Sequence, residues 1–567
     1  MNQALSKQRF PLGLVLFSLG LAVYKAAMLV VSIGADWKIL TQLVGLDLFY
    51  LSLLFLLAIL LGFIKNRLLS VALWLALVFM SAVYLVDSFV LLALDDHADL
   101  FDIGRYAPEA GVVLSFFGAA AYIAIALFLL SLFLSVVFTT RMKKLCVALL
   151  VLTLLGGIVI DAYVVEPLAR YAMLRPGSLM ESVGPQPVVA AYSKDEITFY
   201  TDLKSERAEI PAPRPNIILV VVESLSSINS NKTSGVGHLL GGFDELAEEG
   251  LLFRNFFANH QASEGGLIAL LGGYPPIHFP TATAYMFDEF ATQASVIGEY
   301  QQQGYFTEFL TNSDLSFIGL DNYLNGLGLN RSRGRDELDD LRTARRVVQD
   351  APPDDLLYQK ALSTLRMLSG THTPFLMVLA TTSTHLPYSH PTGGADTAEA
   401  VWEWSLQQLN DFHRKLEKAG YFKDGILLIT GDHRQMRPLT RKETERYGDS
   451  ARARVPLLVI GKDYHRGEID DRFFQQSDLL RMLGRISQSG ASLSPHPIWV
   501  ERYNRKYGRV ELIDDLRIFD QSDSGRKEYR LKMPGNRIEW QGGKPDFARE
   551  IETRIHAQRS QHQGQRQ

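Results

Sequence analysis

At 567 residues the chain is too long for a single hydrophobic core, and length alone points to several units. A net charge of -4 gives no global attraction to nucleic acid, so nucleic-acid partners are not expected. The one cysteine, Cys146, excludes an intrachain disulfide and a cysteine-based zinc centre.

Five apolar segments, 11–33, 39–64, 68–94, 111–138 and 144–164, each approach the ~20 residues that cross a bilayer. The first is too long for a signal peptide and lacks a small-residue cleavage pattern. Lys7 and Arg9 precede it, Lys65 and Arg67 join segments two and three, and Arg141, Lys143 and Lys144 join segments four and five. The alternate loops are poor in base: one holds Asp36 and Lys38, the other Asp95, Asp96, Asp99 and Asp102 against Arg105. The positive-inside rule then places the N-terminus in the cytoplasm and everything after about residue 165 outside. The location expected is a bacterial-type cell (inner) membrane. Lys25, Asp47 and Asp87 fall inside the spans. Intramembrane charge reads either as pairing between helices and snorkelling, or as a polar path for a lipid head group.

Residues 165–213 read as a joining segment punctuated by Pro185, Pro187, Pro211 and Pro213, with a short surface helix expected within Tyr192 to Leu203. Beyond it, strand-like runs at 216–222, 252–257, 305–310, 375–381, 425–430 and 455–460 alternate with helical stretches such as 291–303, 354–369 and 397–419. That alternation predicts an α/β domain with a mostly parallel sheet flanked by helices. The Arg- and Asp-rich stretch 330–352 is expected as an exposed loop. Short alternating runs within 505–545, such as Arg509 to Ile513, predict a small C-terminal antiparallel addition. The expected organisation is a five-helix transmembrane domain (1–164), the joining segment, a catalytic domain (214–500), a β addition (501–551) and a disordered tail (552–567).

Four places carry chemistry. The run Asn216 to Val222 ends in Glu223-Ser224, and a carboxylate at the end of a buried strand needs a partner or a metal. The run Ile426 to Thr430 ends in Gly431-Asp432-His433. An acid on one strand end and an Asp-His pair on another is the layout of a metal site at the carboxyl edge of an α/β sheet. Taken alone, Glu223 also reads as a helix N-terminal acid, and Asp432-His433 as a polar turn. Ser263 follows a strand-like run and precedes the helix-like Leu267 to Leu271. A hydroxyl there is either a plain N-cap or, beside a metal that lowers its pKa, a nucleophile. His385 stands in the polar loop Thr381 to Tyr388, where it could donate to a phosphate oxygen or a leaving group.

In this order, strand-Glu-Ser, hydroxyl before a helix, Thr-x-x-x-His-x-Pro and Thr-Gly-Asp-His, the chain resembles the lipoteichoic acid synthase and phosphoglycerol transferase group. That group is a sulfatase-like branch of the alkaline phosphatase superfamily, with five membrane helices and an extracytoplasmic catalytic domain. The resemblance covers roughly residues 10–490. It implies one divalent metal, manganese or magnesium ahead of zinc, held by Glu223, Ser263, Asp432 and His433. It further implies that Ser263 is the nucleophile and that His385 contacts the substrate phosphate. The implied reaction transfers a phosphorylated head group from a membrane lipid donor to an extracytoplasmic glycan or lipid acceptor through a covalent serine intermediate. Ser263 stands where the family commonly has Thr. Around Phe317 to Asn322 the chain lacks the Trp and Arg that lipoteichoic acid synthases place near glycerol phosphate. A sulfatase-like phosphodiesterase or sulfuric ester hydrolase, and a phosphoethanolamine transferase, are the alternatives. Against them stand the absence of a Cys/Ser-x-Pro-x-Arg motif at Ser263 and of any disulfide.

Overall fold

The computed structural model describes residues 11–33, 40–64, 66–94, 118–137, 150–151 and 153–156 of the N-terminal part. It then describes 208–493, with breaks at 275, 277–285, 292–293, 372, 489 and 492, followed by 498–502, 515–522, 525–532 and 539–541. The chain divides into two compact units: 1–186 with 437–445 and 505–510, and 187–436 with 446–504 and 511–567.

The first unit contains α1 (Leu12–Ile33), α2 (Leu40–Leu46), α3 (Leu48–Phe63), α4 (Arg67–Leu94) and α5 (Gly118–Val137). These lie on four of the five expected segments, with α2 and α3 sharing the second. The fifth, 144–164, falls mostly outside the described residues. Two stretches, Gly13–Val31 and Arg67–Leu92, are long and apolar enough to cross a membrane, while Leu48–Leu61 and Ile123–Leu134 are apolar but shorter. The five-helix bundle expected from the sequence thus reduces to two helices of spanning length among the described residues. The charges within these helices answer one another. Lys25 Nζ lies 2.5 Å from Asp47 Oδ2, and the Tyr84 hydroxyl donates to the same oxygen at 2.6 Å. All three side chains are buried. Helix-to-helix pairing is therefore the reading this structure carries for Lys25 and Asp47, since apolar surroundings leave a charge no other way to recover its lost hydration.

The second unit is built on an eight-stranded sheet. Its strands are β1 (Asn216–Val222), β2 (Leu251–Phe253), β4 (Phe306–Thr311), β5 (Arg331–Arg333), β6 (Phe375–Ala380), β7 (Gly425–Gly431), β8 (Leu457–Ile460) and β9 (Glu468–Asp470). A separate pair joins β3 (Phe256–Phe257) to β10 (Phe474–Gln475). The sheet order is β5-β4-β6-β1-β7-β8-β2-β9, and only β8 runs against its neighbours. β1 is buried on both faces, which is why its sequence is an unbroken Ile/Leu/Val run rather than an alternation. Period two still sorts its side chains. Ile217, Leu219 and Val221 join the core that holds α6 (Ser263–Gly272) and α7 (Val296–Gln302). Ile218, Val220 and Val222 join the core of α8 (Asp354–Leu368) and α9 (Ala398–Lys418). The result is a three-layer α/β/α domain, as expected. Each fully buried large side chain contributes roughly 1.5–3 kcal/mol. Truncating Trp402, which is fully buried on α9, would cost about 3–5 kcal/mol.

The stretch 330–352 is not the exposed loop expected from its charges. Its first residues form the edge strand β5, where Arg331 and Arg333 both pair with the buried Glu308 of β4. Arg335, itself 8% exposed, pairs with Asp314, Asp336 and Asp350. Charges of opposite sign close to one another bury as pairs, and composition alone does not reveal the partner. Past the sheet, the strands Ile498–Arg502, Asp515–Ser522, Gly525–Lys532 and Glu539–Gln541 pair antiparallel in chain order. The run 509–513, the expected surface helix in 192–203 and the tail 552–567 lie outside the described residues.

Candidate active site

Three adjacent parallel strands, β6, β1 and β7, end at one edge of the sheet, and each continues directly into a predicted site residue. β1 leads into Glu223, β6 into the loop 381–385, and β7 into Asp432-His433. The peptide of Glu223 is fastened to the β6 loop from both sides: its N–H donates to Thr381 Oγ1 at 3.1 Å, and its carbonyl accepts from Thr384 Oγ1 at 2.6 Å. Ser224 adopts a left-handed φ of 60°. In that conformation its N–H donates to Asp432 Oδ1 at 2.8 Å and its hydroxyl to Glu223 Oε1 at 2.7 Å. Strained backbone of this kind concentrates where a site must be held in one geometry.

Glu223, Asp432 and His433 are all buried, and one ligand atom from each lies within 4.8 Å of the others. His433 Nε2 is 3.5 Å from Glu223 Oε1 and 3.3 Å from Asp432 Oδ2. Its Nδ1 is 2.7 Å from the Arg434 carbonyl, which can only accept, so the ring proton sits on Nδ1. The Nε2 lone pair therefore faces the two carboxylates, the tautomer a metal ligand requires. Burial, with the Glu223 carboxylate adding to it, pushes the Asp432 carboxyl up to about 6. Burial works against charging His433, but Asp432 and Glu223 outweigh it, and its pKa is raised. Two buried carboxylates with one imidazole are a donor set for a hard or borderline divalent cation, and the residues present fit one.

Ser263 opens α6, yet it does not cap it. The N-cap position belongs to Ala262, with no side-chain cap bond. The Ser263 hydroxyl instead lies 3.1 Å from His433 Nε2 and 3.3 Å from Glu223 Oε2. The plain N-cap alternative fails on this geometry. Gly266 makes the approach feasible: a Cβ there would lie 2.2 Å from the Asp432 carbonyl oxygen.

His385 is buried in the β6 loop. That loop is itself pinned by the fully buried Asp354, which accepts from the Thr382 and Ser383 N–H groups and from Asn312 Nδ2 at 2.8–3.1 Å. Burial pushes the His385 pKa down to about 4, with the neighbouring His433 adding to the fall. Its Nδ1 contacts the Leu386 carbonyl, so the proton sits there and Nε2 is the accepting edge. In this tautomer the neutral ring presents Nε2 as an acceptor, and protonated it would present a donor there. Sequence reasoning missed Ser224, Thr381, Thr384 and Asp354. The Glu-Ser pair and the Thr-rich loop were visible as patterns, but nothing in the pattern said that their side chains fasten the strand ends together.

Residues 215–484 match the family described as Sulfatase. That match spans just under half of the chain. Phosphoglycerol transferase I of Xanthomonas campestris pv. campestris (strain B100) is 25% identical to the chain over 298 residues, 49% of this chain and 40% of that protein. Lipoteichoic acid synthase 1 of Bacillus subtilis (strain 168) is 23% identical over 270 residues, 43% of this chain and 41% of its own length. The match thus spans about two fifths of these curated relatives. Among solved structures, a protein in the alkaline phosphatase superfamily from Vibrio parahaemolyticus superposes with a TM-score of 0.46 at 19% identity, covering 64% of this chain and 90% of the other. The lipoteichoic acid synthase LtaP from Listeria monocytogenes has a TM-score of 0.46 at 16% identity, covering 65% and 97%. The matched segment contains all five predicted site residues.

Proposed function

We propose that this protein is a membrane-anchored, metal-dependent transferase. It moves a phosphorylated, phosphoglycerol-like head group from a membrane lipid to an extracytoplasmic glycan or lipid acceptor through a covalent bond to Ser263. The observation that carries the reading is the Ser263 hydroxyl, turned away from its own helix and onto Glu223 and His433. The names of the two relatives, a phosphoglycerol transferase and a lipoteichoic acid synthase, agree in reaction class. The five expected membrane crossings, with the sulfatase domain outside the cytoplasm, would keep the site near lipid head groups.

Glu223, Asp432 and His433 would hold one divalent cation, with the Ser263 oxygen as a further donor. When bound, the cation supplies Lewis acidity that offsets negative charge at the serine oxygen and at phosphorus. The chain's own groups do the rest. Ser263 Oγ forms a bond to the donor phosphorus as the bond from phosphorus to the lipid oxygen breaks; the Glu223 carboxylate, 3.3 Å from Ser263 Oγ, takes the serine proton, and the departing lipid oxygen takes a proton from solvent. The N–H groups at the start of α6 face the anionic group left on Ser263. In the second half, the acceptor hydroxyl displaces Ser263 and gives its proton to His385 Nε2, which passes it to solvent, while Glu223 returns a proton to the departing Ser263 oxygen.

The test uses the full chain in detergent micelles with manganese and phosphatidylglycerol carrying a fluorescent acyl chain. The expected product is fluorescent diacylglycerol, absent with Ser263→Ala. Equal release by Ser263→Ala would contradict the covalent reading, and preferential release from labelled phosphatidylethanolamine would replace phosphoglycerol as the transferred group.

A further inference from the structure

The site has two halves that come from distant parts of the sequence. One is the loop leading from β3 through Asn259 to Ser263; the other is the turn after β7 that carries Asp432 and His433. Gln476 lies between them. It follows β10, which pairs in parallel with β3, and its side chain is fully buried. Its amide Nε2 donates to the Gly431 carbonyl at 2.7 Å and to the Asp432 carbonyl at 2.8 Å. Its Oε1 accepts from the Asn259 backbone N–H at 3.2 Å. The two carbonyls can only accept and the N–H can only donate, so the amide has one orientation that satisfies all three.

Its neighbours lock the same joint. The Ser477 N–H donates to Asn259 Oδ1 at 2.9 Å, and Asn259 Nδ2 donates to Gln475 Oε1 at 2.9 Å. Gly266 completes the contact from the α6 side, where no Cβ fits against the Asp432 carbonyl. Gln476 carries no charge and its three bonds all end on backbone. It therefore spans the gap between the serine loop and the Asp432-His433 turn without being a donor to a cation or to substrate.

We infer that Gln476 is a positioning residue: it sets the separation between the Ser263 loop and the turn that carries Asp432 and His433. The inference rests on the reading of Ser263 as nucleophile and of Asp432 and His433 as cation ligands. Its effect follows from how steeply both functions depend on placement. A misplacement of about 1 Å at a reacting group costs roughly a hundredfold in rate. Loss of a group that orients a metal ligand costs roughly 10–100-fold in metal affinity. An apolar side chain at 476 leaves two buried carbonyls and one buried N–H without the amide that joined them. A glutamate keeps the volume and the acceptor for Asn259, but turns a carboxylate oxygen toward two carbonyl oxygens.

The experiment compares Gln476→Leu and Gln476→Glu with the unaltered chain, each as the full-length protein in detergent micelles. Three quantities are read: Mn2+ affinity by titration, kcat and KM on fluorescent phosphatidylglycerol at saturating Mn2+, and Tm without metal. The expected result is Mn2+ affinity lowered roughly 10–100-fold and kcat lowered roughly a hundredfold, with KM held within about twofold. If the leucine variant does not fold, the near-isosteric glutamate variant carries the test. Tyr300→Phe serves as the structural comparison, because it removes a buried hydrogen bond to the Leu480 carbonyl, 2.8 Å long, in the same region. It should lower Tm and leave Mn2+ affinity and kcat unchanged. Gln476 variants that behave like Tyr300→Phe, losing Tm alone, would overturn the inference. Ser263→Ala in the same assay separates the two failures. If it is inactive while the Gln476 variants are kinetically normal, only the role of Gln476 falls; if it is active, the nucleophile reading falls.

Discussion

Two of the buried charge clusters among the described residues are built differently. Between the N-terminal helices, Lys25 lies 2.5 Å from Asp47, which also accepts from the Tyr84 hydroxyl. At the sheet edge, Glu223 and Asp432 are brought together around one imidazole, so two acids share a partner that is charged only when protonated. The first arrangement satisfies itself. The second raises the pKa values of Asp432 and His433, and a bound cation would relieve it. A buried pair of opposite sign speaks for structure, and buried like charges held together speak for a ligand.

Substitutions that act on one cluster and spare the other test this contrast. The largest effect belongs to Ser263→Ala, which should lower transfer by about ten-thousandfold or more. It should keep most of its Mn2+ affinity in a titration, because three ligands remain. Asp432→Asn should abolish both Mn2+ binding and transfer. In the metal-free protein the same change should raise Tm, because it removes a carboxylate whose ionisation burial and Glu223 oppose. Asp47→Asn should do the opposite. It removes the carboxylate charge 2.5 Å from the buried Lys25 and should destabilise the helices by about 3–5 kcal/mol in detergent unfolding, with catalysis per folded molecule unchanged. If both Asp→Asn variants move Tm in the same direction, the contrast fails.

The smallest effect is on pH. In the metal-free protein the Asp432 pKa is raised from the usual carboxylate value to about 6. The folded state then holds a proton that the unfolded state has lost, so this contribution to stability is present at low pH and disappears as pH rises toward and past about 6. The same proton competes with the cation. Mn2+ affinity should weaken by up to about tenfold for each unit that pH falls below about 6, more where His433 also protonates. Titrations at several pH values check this, and an affinity flat between pH 5 and 7.5 would remove Asp432 from the ligand set.

The central sheet was readable because its strands are buried on both faces. Runs such as Ile217 to Val222 and Ile426 to Ile429 have little else they can be when flanked by polar turns. The site residues were readable for a related reason, since acids and histidines that end such runs have no apolar purpose. What was hidden depends on contacts between distant segments. β5 has no apolar residue, and it pairs at the sheet edge through Arg331 and Arg333, which both meet the buried Glu308 on the neighbouring strand. Gln476 lies in a short polar run, and only the three bonds of its amide set it apart. Nor could the sequence choose between an N-cap and a nucleophile at Ser263. The choice turns on the direction of one hydroxyl.

That hydroxyl is also where the account is most directly tested. The full chain is incubated with phosphatidylglycerol and Mn2+ without acceptor, quenched in acid and digested, and the peptide containing Ser263 is weighed by mass spectrometry. The account predicts one glycerophosphoryl group on Ser263, lost when acceptor is added. Diacylglycerol release with that peptide unmodified at every time point would contradict it.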